Sequence, residues 1–195
     1  MNFELFTLSF LLDTSMAIQR RVSLFIATSL DGFIADTEGK ISFLKMVEAA
    51  GEDYGYIEFF NTADTVVLGR KTWDTLLSMG VENPYQDKEV FVISRSGAGK
   101  QGSVTITPQD PAELVKQLKN LQGKGIYVDG GAEVVNSLLR EKLIDHMVIS
   151  VIPVILSGGV RLFGEENPQQ SLQLLQSKAF PSGLVQMEYA VEHTG

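Results

Sequence analysis

At two places in the chain an apolar strand runs into glycine and then into a helix start: VVLGRKTW at residues 66 to 73 and GIYVDGGAEVV at residues 125 to 135. A corner of this kind needs a strand that can be buried, a glycine that lets backbone approach closely, and a helix whose first N–H groups are left unbonded. Those N–H groups attract a phosphate. The first corner adds two adjacent cations, Arg70 and Lys71. Neither segment is a GxGxxG fingerprint or a Walker loop, so the common nucleotide folds fit poorly and a less usual dinucleotide site fits better.

From residue 22 onward, short β-branched runs alternate with longer amphipathic ones, which predicts parallel strands joined by helices. Strands are expected at 22–28, 65–69, 89–94, 104–106, 125–130 and 146–154, and helices at about 52–62, 71–78, 111–121 and 132–141. Asp110 followed by Pro111 is a strong helix start, since aspartate caps and proline is tolerated at the first helical position. Near the end, residues 171–180 and 184–192 flank Pro181, Ser182 and Gly183, which predicts an antiparallel hairpin closing one sheet edge. The expected class is α/β: three layers, α/β/α, around a mostly parallel central sheet with an antiparallel C-terminal hairpin.

A chain of 195 residues with 44% hydrophobic residues suits one domain, and no repeat or linker divides it. Residues 16–195 are expected to form that domain, and residues 1–15 an N-terminal extension. FTLSFLL at 6–12 makes a poor signal peptide, because Glu4 and no cation precedes it and it is too short to span a bilayer. The cytoplasm is the expected compartment. A net charge of −8 disfavours nucleic acid and anionic membranes, so phosphate recognition has to be local. With no cysteine, and with His146 and His193 far apart, no metal site is expected.

Together these elements resemble the dihydrofolate reductase fold, and more closely the reductase domain of the riboflavin-biosynthesis deaminase-reductases. The resemblance runs from about residue 20 to 192 and is carried by five blocks in order. They are ATSLDGFIA (27–35), VVLGRKTWDTL (66–76), VISRS (92–96), YVDGGAEVVNSLL (127–139) and LIDHMVISVIPVILSGGVRLF (143–163). It implies that Gly69, Arg70, Lys71 and Thr72 hold NADPH phosphates and that Ser94 and Arg95 lie beside the 2′-phosphate. It also implies that Gly130, Gly131, Ala132, Glu133 and Val134 pack under the nicotinamide and pyrophosphate, with Ala27 at the end of the first strand. The acid at Asp129, before the glycine pair, favours the riboflavin-type branch.

On the substrate side the resemblance implies Asp31, Phe33, Ser150 and Arg161. Asp31 with Gly32 reads equally well as a turn, and Phe33 stands where the riboflavin enzymes commonly carry lysine. For proton handling the register places Asp53 on a helix beneath the substrate, where an apolar pocket raises a carboxyl pKa. Glu58 is the alternative on the same segment, and Asp31 is the third candidate. The implied activity is NADPH-dependent hydride transfer to a carbonyl or imine carbon, like that of a 5-amino-6-(5-phosphoribosylamino)uracil reductase. A dihydrofolate reductase and a non-catalytic NADPH-binding protein are the alternatives, and a homodimer is expected.

Overall fold

The structure is a computed structural model that describes residues 19–80 and 84–193; the expected extension at 1–15 lies outside them. In chain order the elements are β1 (Val22–Ser29), β2 (Phe33–Ala35), a 3-10 turn (Ser42–Val47), α1 (Tyr56–Asn61), β3 (Ala63–Gly69) and α2 (Arg70–Ser78). There follow β4 (Glu89–Ile93), β5 (Gly99–Gln101), β6 (Val104–Thr107), α3 (Pro111–Lys119), β7 (Gly125–Gly130) and α4 (Ala132–Arg140). The last strands are β8 (His146–Ile152), β9 (Val160–Arg161), β10 (Ser171–Ala179) and β11 (Val185–Glu192).

Among the described residues, nine strands form one sheet in the order β10-β11-β8-β1-β7-β3-β4-β6-β5, parallel from β8 through β6 and antiparallel at both edges. Period-two alternation divides its side chains between two cores. Val22, Leu24, Ile126, Val128, Met147 and Ile149 face α3 and α4. Val66, Leu68, Val90, Tyr127 and Val148 face α1 and α2, whose Phe59 and Trp73 pack on them. The helices take opposite faces because the chain reverses direction across the sheet. The crossover through α2 moves outward from β3 to β4, whereas those through α3 and α4 move back, and right-handed crossovers of opposite sense cover opposite faces. The sense changes between the neighbours β3 and β7, and ligands of open α/β sheets bind at such a point, beyond the carboxyl ends of the strands.

Two expectations are corrected. The helix expected at 52–62 begins only at Tyr56, because Tyr54 and Gly55 adopt positive φ and cannot continue a helix backwards. The long strand expected at 146–154 ends at Ile152, one residue before Pro153. β2 and β9 pair in a small separate ribbon that the sequence pattern did not indicate.

Candidate functional site

The two glycine corners meet. Leu68 of β3 pairs with Gly130 of β7, so α2 and α4 start side by side at one end of the sheet. A methyl group on Gly69 would stand 3.6 Å from the Gly131 nitrogen, and one on Gly131 would stand 3.2 Å from Thr72 Oγ1. Gly130 has φ +108°, which side-chain-bearing residues rarely adopt. Neither helix start is closed by a side chain. α3 is different: the Asp110 carboxylate accepts from the Ala112 and Glu113 N–H groups, a cap worth about 1 kcal/mol. The N–H groups at the α2 and α4 starts therefore remain available to an anion in the crevice between them.

Cations border this crevice. Arg70 is exposed, and its Nε donates to Asp74 Oδ1 at 2.7 Å, one turn along α2. Arg95 follows Ser94 at the end of β4 and approaches Glu133 of α4 at 3.5 Å, both side chains being more than 80% exposed. Solvent screens such pairs strongly, so a phosphate can compete for either arginine. Lys71 is exposed beside Arg70, Val134 is buried under the Gly69 backbone, and Ala132 opens α4. On the other flank, Ala27 pairs with Ser150 across β1 and β8, and the Ile26 side chain lies beneath Gly130. All the residues expected around a cofactor thus border one end of the sheet.

Asp129, the residue before the glycine pair, was not among the residues expected to handle a proton. Its carboxylate accepts from the hydroxyls of both Tyr85 and Tyr127. Around them pack Tyr56, Phe59 and Phe60, with Phe59 and Tyr127 in edge-to-face contact at 5.0 Å. The residue keeps some exposed surface, but protein encloses the carboxyl group. That desolvation outweighs the two phenol bonds and pushes its pKa up to about 6. Burial and the nearby Asp129 charge raise the Tyr56 phenol to about 12 and the Tyr85 and Tyr127 phenols well above their usual value. Its position in the sequence was a usable signal, since it stands two residues after Tyr127 and so shares that face of β7. The approach of Tyr85 from a distant loop could not be read.

The other acids occupy different environments. Asp53 is exposed and precedes α1, accepting from Gly55 N at 3.0 Å and Ile57 N at 2.9 Å. Those bonds lower its pKa, which corrects the expectation of a raised pKa in an apolar pocket. Glu58 is exposed in the first turn of α1. Asp31 accepts from Ser29 Oγ at 2.7 Å, Leu156 N at 3.1 Å and Ser157 N at 2.8 Å. The Ser29 bond and the two backbone donors hold its pKa down at about 2 despite partial desolvation. Asp31 thus ties the β1–β2 turn to the loop after β8, as an ionised group. Ser150 Oγ accepts from Gln186 Nε2 at 3.0 Å, and the same amide also donates to the Tyr54 carbonyl, so Ser150, expected on the substrate side, braces the approach to α1.

Lys88 is buried and donates to the carbonyls of Phe60 at 3.0 Å and Ala63 at 2.7 Å. Desolvation lowers its pKa. Phe33 is buried in the β2–β9 ribbon, under the guanidinium of Arg161. His146 is buried at the start of β8 against Glu188, away from the crevice. Among the described residues, no group of three acidic or histidine side chains could hold a metal ion, and no helix is long and apolar enough to cross a membrane.

A family model described as the RibD C-terminal domain matches residues 20–186. The chain belongs to that family. The part matching the RibD C-terminal domain includes both glycine corners, Asp129 and the β2–β9 ribbon. The uncharacterized Bacillus subtilis protein YwjB is 39% identical over 173 residues, which cover 88% of this chain and 98% of YwjB. Among solved structures, a Shewanella sp. PV-4 protein assigned by name to riboflavin biosynthesis matches with TM-score 0.76 and 35% identity, over 89% of this chain and 99% of that one. Dihydrofolate reductase from Enterococcus faecalis, solved with NADP(H), matches with TM-score 0.62 and 14% identity, over 89% and 98%. The RibD C-terminal domain described here therefore has the dihydrofolate reductase-like fold.

Proposed function

We propose that this chain is an NADPH-dependent reductase of the riboflavin-biosynthesis type, transferring hydride to a carbonyl or imine carbon as in reduction of 5-amino-6-(5-phosphoribosylamino)uracil. The observation that carries this reading is the meeting of two glycine-led, uncapped helix starts at one crevice, with Asp129 beside it. Those residues fit a dinucleotide. Side chains at Gly69 and Gly131 would narrow the crevice, the free N–H groups suit a pyrophosphate, and Arg70 and Lys71 add charge. Arg95 suits a 2′-phosphate and so favours NADPH over NADH.

Bound there, the cofactor would supply the hydride. The second requirement is a proton for the acceptor oxygen or nitrogen, and Asp129 would hold it on its carboxyl oxygen. A pKa of about 6 keeps a usable fraction protonated near neutral pH. The phenols of Tyr85 and Tyr127 fix the carboxyl orientation, and the aromatic layer of Tyr56, Phe59 and Phe60 keeps water from its other side. Dihydrofolate reduction is less well supported, because Lys88, the cation that could have met a folate carboxylate, is spent on two carbonyl groups. The same reading takes the working species as a homodimer paired along β10.

NADPH binding by fluorescence tests the cofactor, with Arg70→Ala expected to weaken it about five- to tenfold. NADPH oxidation is then followed with the aminopyrimidine ribosyl phosphate and with dihydrofolate. A wild-type chain that does not bind NADPH sinks the reading. Binding without turnover on any carbonyl or imine supports a non-catalytic nucleotide-binding protein, and turnover with dihydrofolate alone supports the folate activity.

A further inference from the structure

α1 is six residues long, too short to hold its own place, yet it carries the rings that close over Asp129. Phe59 meets Tyr127 and Phe60 lies over Tyr85 at 6.5 Å, so α1 touches both phenols that bond the carboxylate. Its far end is fastened by the Lys88 ammonium on the Phe60 carbonyl and by Gly125 N on the Thr62 carbonyl at 2.9 Å. Its near end follows Tyr54, which has φ +56°, a left-handed conformation unusual for a bulky residue. Such a conformation persists only where the surroundings impose it. Here they do so on three sides. The Tyr54 hydroxyl donates to the Val47 carbonyl and bonds Ser182 Oγ at 2.9 Å, its own carbonyl accepts from Gln186 Nε2 at 3.0 Å, and its ring meets Phe180 edge-on at 4.8 Å. Phe180, Ser182 and Gln186 all belong to the β10–β11 hairpin or its turn, which Phe180 N closes on the Leu184 carbonyl at 2.9 Å.

We propose that Tyr54 is a positioning residue: it ties the start of α1 to the β10–β11 hairpin and so keeps the aromatic layer closed over Asp129. Its effect on turnover rests on the reductase reading. The Asp53 carboxylate shapes the same turn through Gly55 and Ile57, but those bonds stay within the segment, whereas Tyr54 reaches Ser182 and Gln186, 128 and 132 positions along the chain. The titratable groups that face the Asp129 carboxyl are the phenols of Tyr127 on β7, Tyr85 ahead of β4 and Tyr56 on α1. Their own raised pKa values keep them neutral, so enclosure away from water is what favours the protonated carboxyl. With the anchor lost, α1 can tilt outward, water reaches the carboxyl and its ionised form gains stability.

The test follows the Asp129 carboxyl by carbon-13 NMR of the full chain without NADPH, its signal identified by its loss in Asp129→Asn. Wild type should titrate at about 6. Tyr54→Gly removes the anchor but suits the left-handed backbone, and it should bring the midpoint towards the ordinary aspartate value of about 4, with at least about a tenfold loss of proton affinity. Tyr54→Phe keeps the ring on Phe180 and loses the hydroxyl bonds, so it should fall between. Phe180→Leu, on the hairpin side, should move the midpoint the same way without altering the turn before α1. NADPH affinity should stay the same in all three variants, and the pH at which kcat/KM falls should move down with the midpoint. A residue that only stabilised the fold would lower the melting temperature and leave the midpoint in place. An unchanged midpoint in the folded variants overturns the proposal, as does a wild type that titrates like an ordinary aspartate. A wild type that does not bind NADPH overturns the reductase reading instead, since the carboxyl titration does not use the cofactor.

Discussion

A carboxyl group bonded to two phenols and walled by aromatic rings changes its protonation close to neutral pH, and Asp129 is in that position. If it donates the proton, the active form is the protonated one, and kcat/KM should fall as pH rises through about 6. Asp129→Asn should remove that limb and lower kcat by about 10²- to 10⁴-fold. A wild-type profile flat across this range would exclude Asp129 as the donor. The same group affects stability. Its pKa is raised from 3.8 unfolded to about 6 folded, so its favourable contribution is complete below the unfolded value and is lost as pH rises through the folded one. The melting temperature of Asp129→Asn relative to wild type should therefore shift upward between about pH 4 and pH 7, as thermal scans at the two pH values would show. The sequence allowed three acids as candidates but could not rank their surroundings. Asp53 lacks the raised pKa expected of it because the Ile57 and Gly55 N–H groups of its own turn stabilise its charge, and such bonds follow from backbone conformation rather than residue type.

Among the helices, α2 and α4 differ from α3 in what closes their first turns, and that contrast was legible in the sequence. Asp110–Pro111 closes α3, whereas glycine precedes the other two. Strand positions were legible too, because buried parallel strands read as β-branched runs. The start of α1 and the β2–β9 ribbon were not. The first is decided by positive-φ residues within a helix-like run, and the second has strands of three and two residues, too short for any periodicity. The glycine corner makes its own prediction. In Gly131→Ala the new methyl would stand 3.2 Å from Thr72 Oγ1, which can give slightly, while the crevice between the two helix starts narrows. NADPH affinity should drop about tenfold or more with little change in melting temperature, because burial elsewhere in the core is untouched. A large loss of stability with unchanged NADPH affinity would make this corner a packing device only.

At the scale of the whole molecule, the sheet ends in a strand that nothing among the described residues covers. All nine residues of β10 are exposed, and it is the outermost strand on its side. Leu172 and Leu174 share a face with their partners Val191 and Tyr189, and Val191 belongs to the core under α3 and α4, so the apolar face runs on past the helices. Leu172, Leu174, Leu175 and Val185 are 40–54% exposed. A long, unprotected apolar edge invites pairing with another chain. A second copy is the partner the charge pattern fits: the chain carries −8 overall, yet the only charge within β10 is Lys178. Two copies of β10 running antiparallel about a twofold axis would bring no like charges opposite one another, because each Lys178 would lie near the other strand's Ser171 end. Wild type should sediment as a dimer at micromolar concentration, and Leu174→Asp with Leu175→Asp should convert it to a folded monomer, since like charges would then oppose each other near the twofold axis. The glycine crevice lies at the ends of β3 and β7, several strands away, so that monomer should still bind NADPH. A wild type that sediments as a monomer would remove β10 as an interface and leave the crevice argument intact.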